Sequence, residues 1–225
     1  MSERHPKALV TGGARGIGAA IVAALRAGGI DVLAPSRPEL NLLDESSIRA
    51  YVDSIRDAGV DILVNNAGIN SPRFLQDLRD DEWVATLQMN LTAVMALTRG
   101  LAPGMRDRKW GRIVNISSVF SLVTKEKRAL YSATKAGLNG FTRAVAVELA
   151  PDGVLVNAVC PGYVDTELTR QNNSAAELEN IAQAIPMRRL AQPKEIGRFV
   201  AFLCSEENTY ITGQTLVIDG GFVCL

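Results

Sequence analysis

Tyr131 and Lys135 are set i, i+4 in the run YSATK, which reads as the head of a long helix, so one face presents a phenol and an ammonium together. Before them come Ser117 and Ser118, at the end of an apolar run over residues 113–116 with the pattern of a buried parallel strand. A serine at the carboxyl end of a strand and a Tyr–Lys pair on the following helix could together build a proton-transfer site. Far upstream, TGGARGIG places Gly12, Gly16 and Gly18 between a strand and a helix. Glycines let backbone amides approach a pyrophosphate, and a helix N-terminus favours negative charge. The spacing is G-x-x-x-G-x-G, neither the G-x-G-x-x-G fingerprint nor a P-loop with its Lys-Ser/Thr. Alone, the turn is equally a nucleotide site or a tight connection that needs glycine for its geometry.

These residues need elements to hold them. Residues 7–11 read as a first strand, and Ile17, Ala20, Ile21, Ala24 and Leu25 as one face of a helix stopped by Gly28 and Gly29. Residues 31–34 form a second strand. Pro35 and Pro38 then bar helix. A third strand over residues 40–43 is expected to be stunted, displaced or absent, because no crossover helix fits before it. Asp44 reads as the N-cap of a helix with the stripe Ile48, Tyr51, Val52 and Ile55, ending at Gly59. Residues 61–65 are the next strand, entering NNAG. A long helix over 81–101 carries Trp83, Leu87, Asn90, Leu91, Val94 and Leu97. The Tyr131 helix runs to 149, and a strand over 154–160 ends at Pro161 and Gly162. Residues 165–186 are polar and weakly periodic, expected as a mobile cover with a helix near 174–184. Pro193 opens a helix to 205 with Ile196, Val200 and Leu203 inward, and residues 215–218 are a last strand.

Strands alternating with helices predict one α/β domain over residues 1–225. It is a doubly wound, Rossmann-like parallel sheet with helices on both faces, shortened after the second strand, with a lid near 165–190. The glycine turn, NNAG, the serines and the Pro–Gly pair all follow strands directly. They should converge on the carboxyl edge, where such sheets bind ligands.

Composition bounds the rest. A length of 225 residues suits one large buried core. The formal net charge is zero, which argues against a general nucleic-acid binder. No apolar run approaches a membrane span, and the N-terminal residues carry no signal-peptide core. Cys160, Cys204 and Cys224 are scattered, with no C-x-x-C, as in a cytoplasmic protein with reduced thiols. With one histidine, His5, in the N-terminal tail, neither a histidine triad nor a multi-histidine metal site is expected, and no metal is assigned.

T-G-x-x-x-G-x-G, N-N-A-G, a serine then Y-x-x-x-K, and P-G, in this order, resemble the short-chain dehydrogenase/reductase family over nearly the whole chain, down to YITGQTLVIDGG. The resemblance implies a ketone/secondary-alcohol oxidoreductase. Tyr131 would be the general acid/base, and Lys135 would lower the phenol's pKa, ordinarily near 10, and bind the nicotinamide ribose. Ser118, favoured over Ser117 by its spacing to the tyrosine, would hydrogen-bond the substrate oxygen. Asn90 would help hold a water leading protons towards Lys135. Gly12, Gly16, Ile17 and Gly18 would bind the cofactor phosphates. Asn65, Asn66, Ala67 and Gly68 would form the floor beside the adenosine, and Pro161, Gly162, Val164 and Thr166 would contact the nicotinamide amide. Cys160 is read as packing.

NAD-specific members place an acid at the end of the second strand, where this chain has Ala34, Pro35, Ser36 and Arg37. Arg37 with Ser36 could hold a 2′-phosphate, and Arg15 adds a second cation, so NADP(H) is expected over NAD(H). The chain departs from the family in lacking the helix after the second strand, and in Asn41 where many members have an Asp near adenine. A more open adenine pocket follows.

The C-terminal region is similar to 3-oxoacyl-acyl-carrier-protein reductases and to sugar and polyol dehydrogenases. Arg108 and Lys109 lie near one carrier-docking position, whereas Asp152 stands at the other. A 3-oxoacyl thioester reductase, free or carrier-bound, is the first reading. A sugar, nucleotide-sugar or polyol enzyme is the alternative, and a catalytically silent nucleotide-binding regulator is a third class. The charged loop Lys125, Glu126, Lys127 and Arg128 either attracts an anionic or phosphorylated substrate or is a solvated face or subunit contact. By resemblance the 81–101 and 131–149 helices form subunit contacts, giving a homotetramer or a dimer.

Overall fold

The computed structural model describes residues 6–224, and His5 lies outside them. Six parallel strands form one sheet in the order β2-β1-β3-β4-β5-β6. They are β1 (Lys7–Val10), β2 (Asp31–Leu33), β3 (Ile62–Asn65), β4 (Gly111–Ile116), β5 (Val154–Pro161) and β6 (Thr215–Ile218). Every residue of β3, β4 and β5 is buried, as unbroken apolar runs require when helices cover both faces.

Alternating residues supply the two cores. Leu9, Leu63, Ile113 and Val156 meet α2 (Glu45–Ser54), α4 (Ala93–Asp107) and α5 (Ala129–Leu149). Ala8, Val10, Ile62, Val64 and Val114 face the other way, onto α1 (Gly16–Ala27) and α8 (Pro193–Cys204). Asp44 caps α2, accepting from the Ser46 amide, and Ile196, Val200 and Leu203 of α8 are buried as their spacing predicts.

Residues 40–43 form no strand, one of the outcomes expected for them; they turn so that Leu40 and Leu42 enter the core as side chains, and β2 is left at the sheet edge. Three other expectations change. The long helix extends beyond 81–101: α3 (Asp80–Leu87) passes through a π-turn, Gln88–Thr92, into α4, with Pro103 inside. Trp83 is 44% exposed, so the buried stripe of that helix lies on Thr86, Asn90, Val94 and Leu97. The cover holds two helices rather than one, α6 (Glu167–Gln171) and α7 (Ala175–Ala184). Thr166 accepts from the Thr169 amide, and Ser174 and Glu177 form a reciprocal capping box, which is why polar sequence is helical there.

Candidate active site

One cavity of about 610 Å³ opens along the carboxyl edge of the sheet. Gly12, Arg15, Gly16, Ile17, Gly18, Arg37, Asn66, Ala67, Gly68, Ser118, Tyr131, Lys135, Pro161, Gly162, Val164 and Thr166 all line it. Of the catalytic and cofactor residues singled out in the sequence, Ser36, Asn65 and Asn90 are not on its wall; Asn65 is the last residue of β3 and turns inward, donating Nδ2 to Asn115 Oδ1 at 2.8 Å.

The glycine turn is shaped by contacts no side chain would survive. A Cβ on Gly18 would meet the Gly12 carbonyl oxygen at 2.1 Å and Asn66 Nδ2 at 2.5 Å. Gly12 and Gly16 hold φ of +64° and +55°, in the left-handed region. Asn66 fastens the turn from β3, donating Nδ2 to the carbonyls of Thr11 at 2.9 Å and Gly12 at 3.1 Å. Thr11 Oγ1 accepts from the amides of Asn66 and Ala67, both at 3.0 Å. The first turn of α1 carries no acid and no side-chain cap, so its amides remain open to an anion. These residues fit a dinucleotide pyrophosphate.

At the second strand's end, Arg37 is exposed and lines the cavity. Ser36 donates its hydroxyl and amide to Glu39, each at 2.7 Å, which holds the Glu39 carboxyl below its usual range. Arg15 reaches across the cavity mouth to Glu167 of α6 at 3.0 Å.

The proton-handling end is set by β4 and α5. Lys135, 4% exposed, donates Nζ to the Ile116 carbonyl at 2.7 Å. Burial lowers its pKa from the usual 10.5 to about 8. Ser117 spends its hydroxyl on the Lys135 carbonyl at 3.2 Å, strapping α5 to the strand. Ser118 accepts from the Phe120 amide at 3.2 Å, and its hydroxyl stands beside the Tyr131 phenol, acting to lower the phenol's pKa. The Tyr131 phenol departs from one expectation. Burial raises its pKa, against smaller lowering by the Ser118 hydrogen bond and the Arg128 charge. The Lys135 ammonium, 5.7 Å from the Tyr131 ring centroid, is not among the groups that lower it here.

Asn90 sits in the π-turn, fully buried. It accepts from the Ile69 amide at 2.9 Å, donates to the Ile69 carbonyl at 2.9 Å, and donates to Thr134 Oγ1 at 3.2 Å. It thus ties the loop after β3 to α5, and its carbonyl oxygen has a lone pair left over. A Cβ on Gly68 would lie 3.2 Å from Asn90 Oδ1 and 3.6 Å from Lys135 Nζ, so this corner is tight.

The loop before Tyr131 divides. Lys125, Glu126 and Lys127 are exposed, whereas Arg128 is buried and lines the cavity with Asn70, Ser71, Tyr163 and Asn172. In the sequence Arg128 stood out only as one member of the charged loop, and Asn70, Ser71, Tyr163 and Asn172 did not stand out at all. Arg108 and Lys109 are engaged within the chain, with Asp61 at 2.9 Å and Asp152 at 2.5 Å, and Asp152 also holds Arg106 at 2.6 Å.

Residues 34–223 match the family model described as enoyl-(acyl carrier protein) reductase. The chain is 44% identical to an acetoacetyl-CoA reductase of Shinella zoogloeoides, covering 95% of this chain and 97% of that one. It is 39% identical to a 3-oxoacyl-[acyl-carrier-protein] reductase of Vibrio cholerae, covering 95% and 96%. Among solved structures it superposes, with a TM-score of 0.94 and 32% identity over 100% of this chain and 99% of the other, on a putative NAD(P)-dependent gluconate 5-dehydrogenase of Beutenbergia cavernae with bound NADP.

Proposed function

Because this chain belongs to the short-chain dehydrogenase/reductase family, we propose how its residues divide the work of an NADP(H)-dependent reductase of 3-oxoacyl thioesters. The supporting observation is one cavity that holds Ser118, Tyr131 and Lys135 at one end and the glycine turn with Arg37 at the other. When bound, the nicotinamide supplies or accepts the hydride. The chain's own residues do the rest. Ser118 steadies the substrate oxygen, Tyr131 gives or takes its proton, and Lys135 holds positive charge beneath the ribose. Gly12, Gly16, Ile17 and Gly18 seat the phosphates, Arg15 and Arg37 the 2′-phosphate, and Ser36 braces that corner through Glu39. Asn66, Ala67 and Gly68 floor the adenosine half. Pro161, Gly162, Val164 and Thr166 border the nicotinamide, and Asn90 positions the loop and helix around Lys135.

The domain is read as a single unit over residues 1–225 that acts in the cytoplasm. Among the described residues no helix is long and apolar enough to cross a membrane. The assembly is read as a homotetramer. A free thioester is favoured over a carrier-bound one, because Arg108 and Lys109 are already paired internally. The polar wall of Asn70, Arg128 and Asn172 favours, as the second reading, a sugar or polyol ketone. The deciding experiment follows NADPH oxidation with 3-oxoacyl thioesters, keto-sugars and simple diketones. Thioester reduction is expected to lead. A thioester rate below that of the keto-sugars would replace the first reading by the second.

A further inference from the structure

Arg128 is a buried guanidinium with no counter-ion among the described residues. It is 4% exposed and forms part of the cavity wall beside Tyr131. Nη1 donates to Asn70 Oδ1 at 2.6 Å, while Nε is enclosed with no acceptor among the described residues. Glu167, the one acid among the described lining residues, is already taken by Arg15. The guanidinium carbon lies 5.5 Å from the Phe120 ring centroid, and Phe120 stands edge-to-face with both Tyr131 and Tyr163. Arg128 immediately precedes α5 and Tyr131 lies in its first turn, close enough for the Arg128 charge to act on the phenol.

A buried charge with an unmet donor is destabilising in the empty fold, and it is completed when a bound anion supplies the missing acceptors. Guanidinium is suited to that task, since its fork meets two oxygens of a carboxylate or phosphate at once. The cover reinforces the same corner. Asn172 donates to the Asn70 carbonyl at 3.4 Å, and Asn173 and Thr169 join the wall there. Carboxamides and hydroxyls around one uncompensated cation are the lining for an oxygen-rich, negatively charged group rather than for a plain alkyl chain.

We propose that Arg128, with Asn70 and Asn172, is an anion subsite, and that the ketone or alcohol turned over here carries a carboxylate or phosphate ester close to the reacting carbon. This rests on the ketoreductase reading and narrows its substrate class, with Arg128 as the specificity-determining residue.

The test uses binding, so that it does not depend on turnover. NADPH-loaded Tyr131→Phe protein is titrated, by NADPH fluorescence, with two matched pairs: acetoacetate against ethyl acetoacetate, and fructose 6-phosphate against fructose. The charged member of at least one pair is expected to bind at least about tenfold tighter than its neutral partner. Which pair shows it distinguishes carboxylate from phosphate. Adding Arg128→Met should erase the difference, and Arg128→Lys should keep part of it, with NADPH affinity unchanged in both. Equal binding within both pairs overturns the proposal, and this comparison stands even where Arg128→Met does not fold. Discrimination that persists in Arg128→Met overturns it equally. Failure of the ketoreductase reading would show separately, as an unsubstituted protein that oxidises NADPH with no ketone.

Discussion

Tyr131 and Lys135 carry opposite burdens of burial. The raised Tyr131 pKa keeps the proton on the phenol at neutral pH, the state needed to protonate a reduced carbonyl. The lowered pKa of Lys135, about 8, means its positive charge is lost as pH rises through that value. kcat/KM for reduction should therefore hold below about pH 8 and decline above it, whereas alcohol oxidation, which needs phenolate, should rise with pH; a pH–rate profile in both directions checks the signs. Tyr131→Phe should lower the reduction rate by about 10²- to 10⁴-fold while NADPH still binds, measured by turnover and fluorescence titration. Arg37→Ala should weaken NADPH by about ten- to a hundredfold and leave NADH unchanged, since a hydrogen bond to a charged group is worth about 1.5–3 kcal/mol. A cation at the end of β2 could be read from sequence because it stands where an acid would otherwise sit. The Arg128 site could not, because nothing in KEKR tells a solvated charge from an enclosed one until Phe120 and Asn70 fold around the last of the four.

At the scale of elements, legibility followed the regularity of the pattern. Helix α8 was read from Pro193 and three inward residues because a single face settles it. The helix through Asn90 was not, since a π-turn adds a residue to one turn and shifts the phase of the stripe, leaving Trp83 outside. Residues 40–43 look like a strand by composition, but a leucine that plugs a core and a leucine in a ladder share one local sequence. Helix α6 was hidden by polarity and is explained by its Thr166 cap, whereas α7 was expected near 174–184. Ser174→Ala should loosen α7 by about 0.5–2 kcal/mol. Its effect should appear as a raised KM for the carbonyl substrate with little change in global Tm, because the cover packs few core residues.

On the scale of the whole molecule, the α3–α5 side leaves Trp83, Val84, Met95 and Val147 exposed, at 44%, 64%, 44% and 77%. Apolar surface of that kind on adjoining helices fits the proposed subunit contact. Val147→Glu should shift the assembly to smaller species in analytical ultracentrifugation. The doubly wound parallel sheet was foreseen from strand–helix alternation, and its stunted or missing outer strand from the absence of room for a crossover. That omission reaches beyond architecture. With β2 as the last strand and only a turn beyond it, the nucleotide end of the cavity has one wall fewer to cross on the way out. Spent cofactor should leave quickly, so that departure of product, the slow step in many oxidoreductases, does not govern turnover. Rapid mixing should then show no burst of NADPH consumption, and deuterium on the transferred position of NADPH should slow kcat itself.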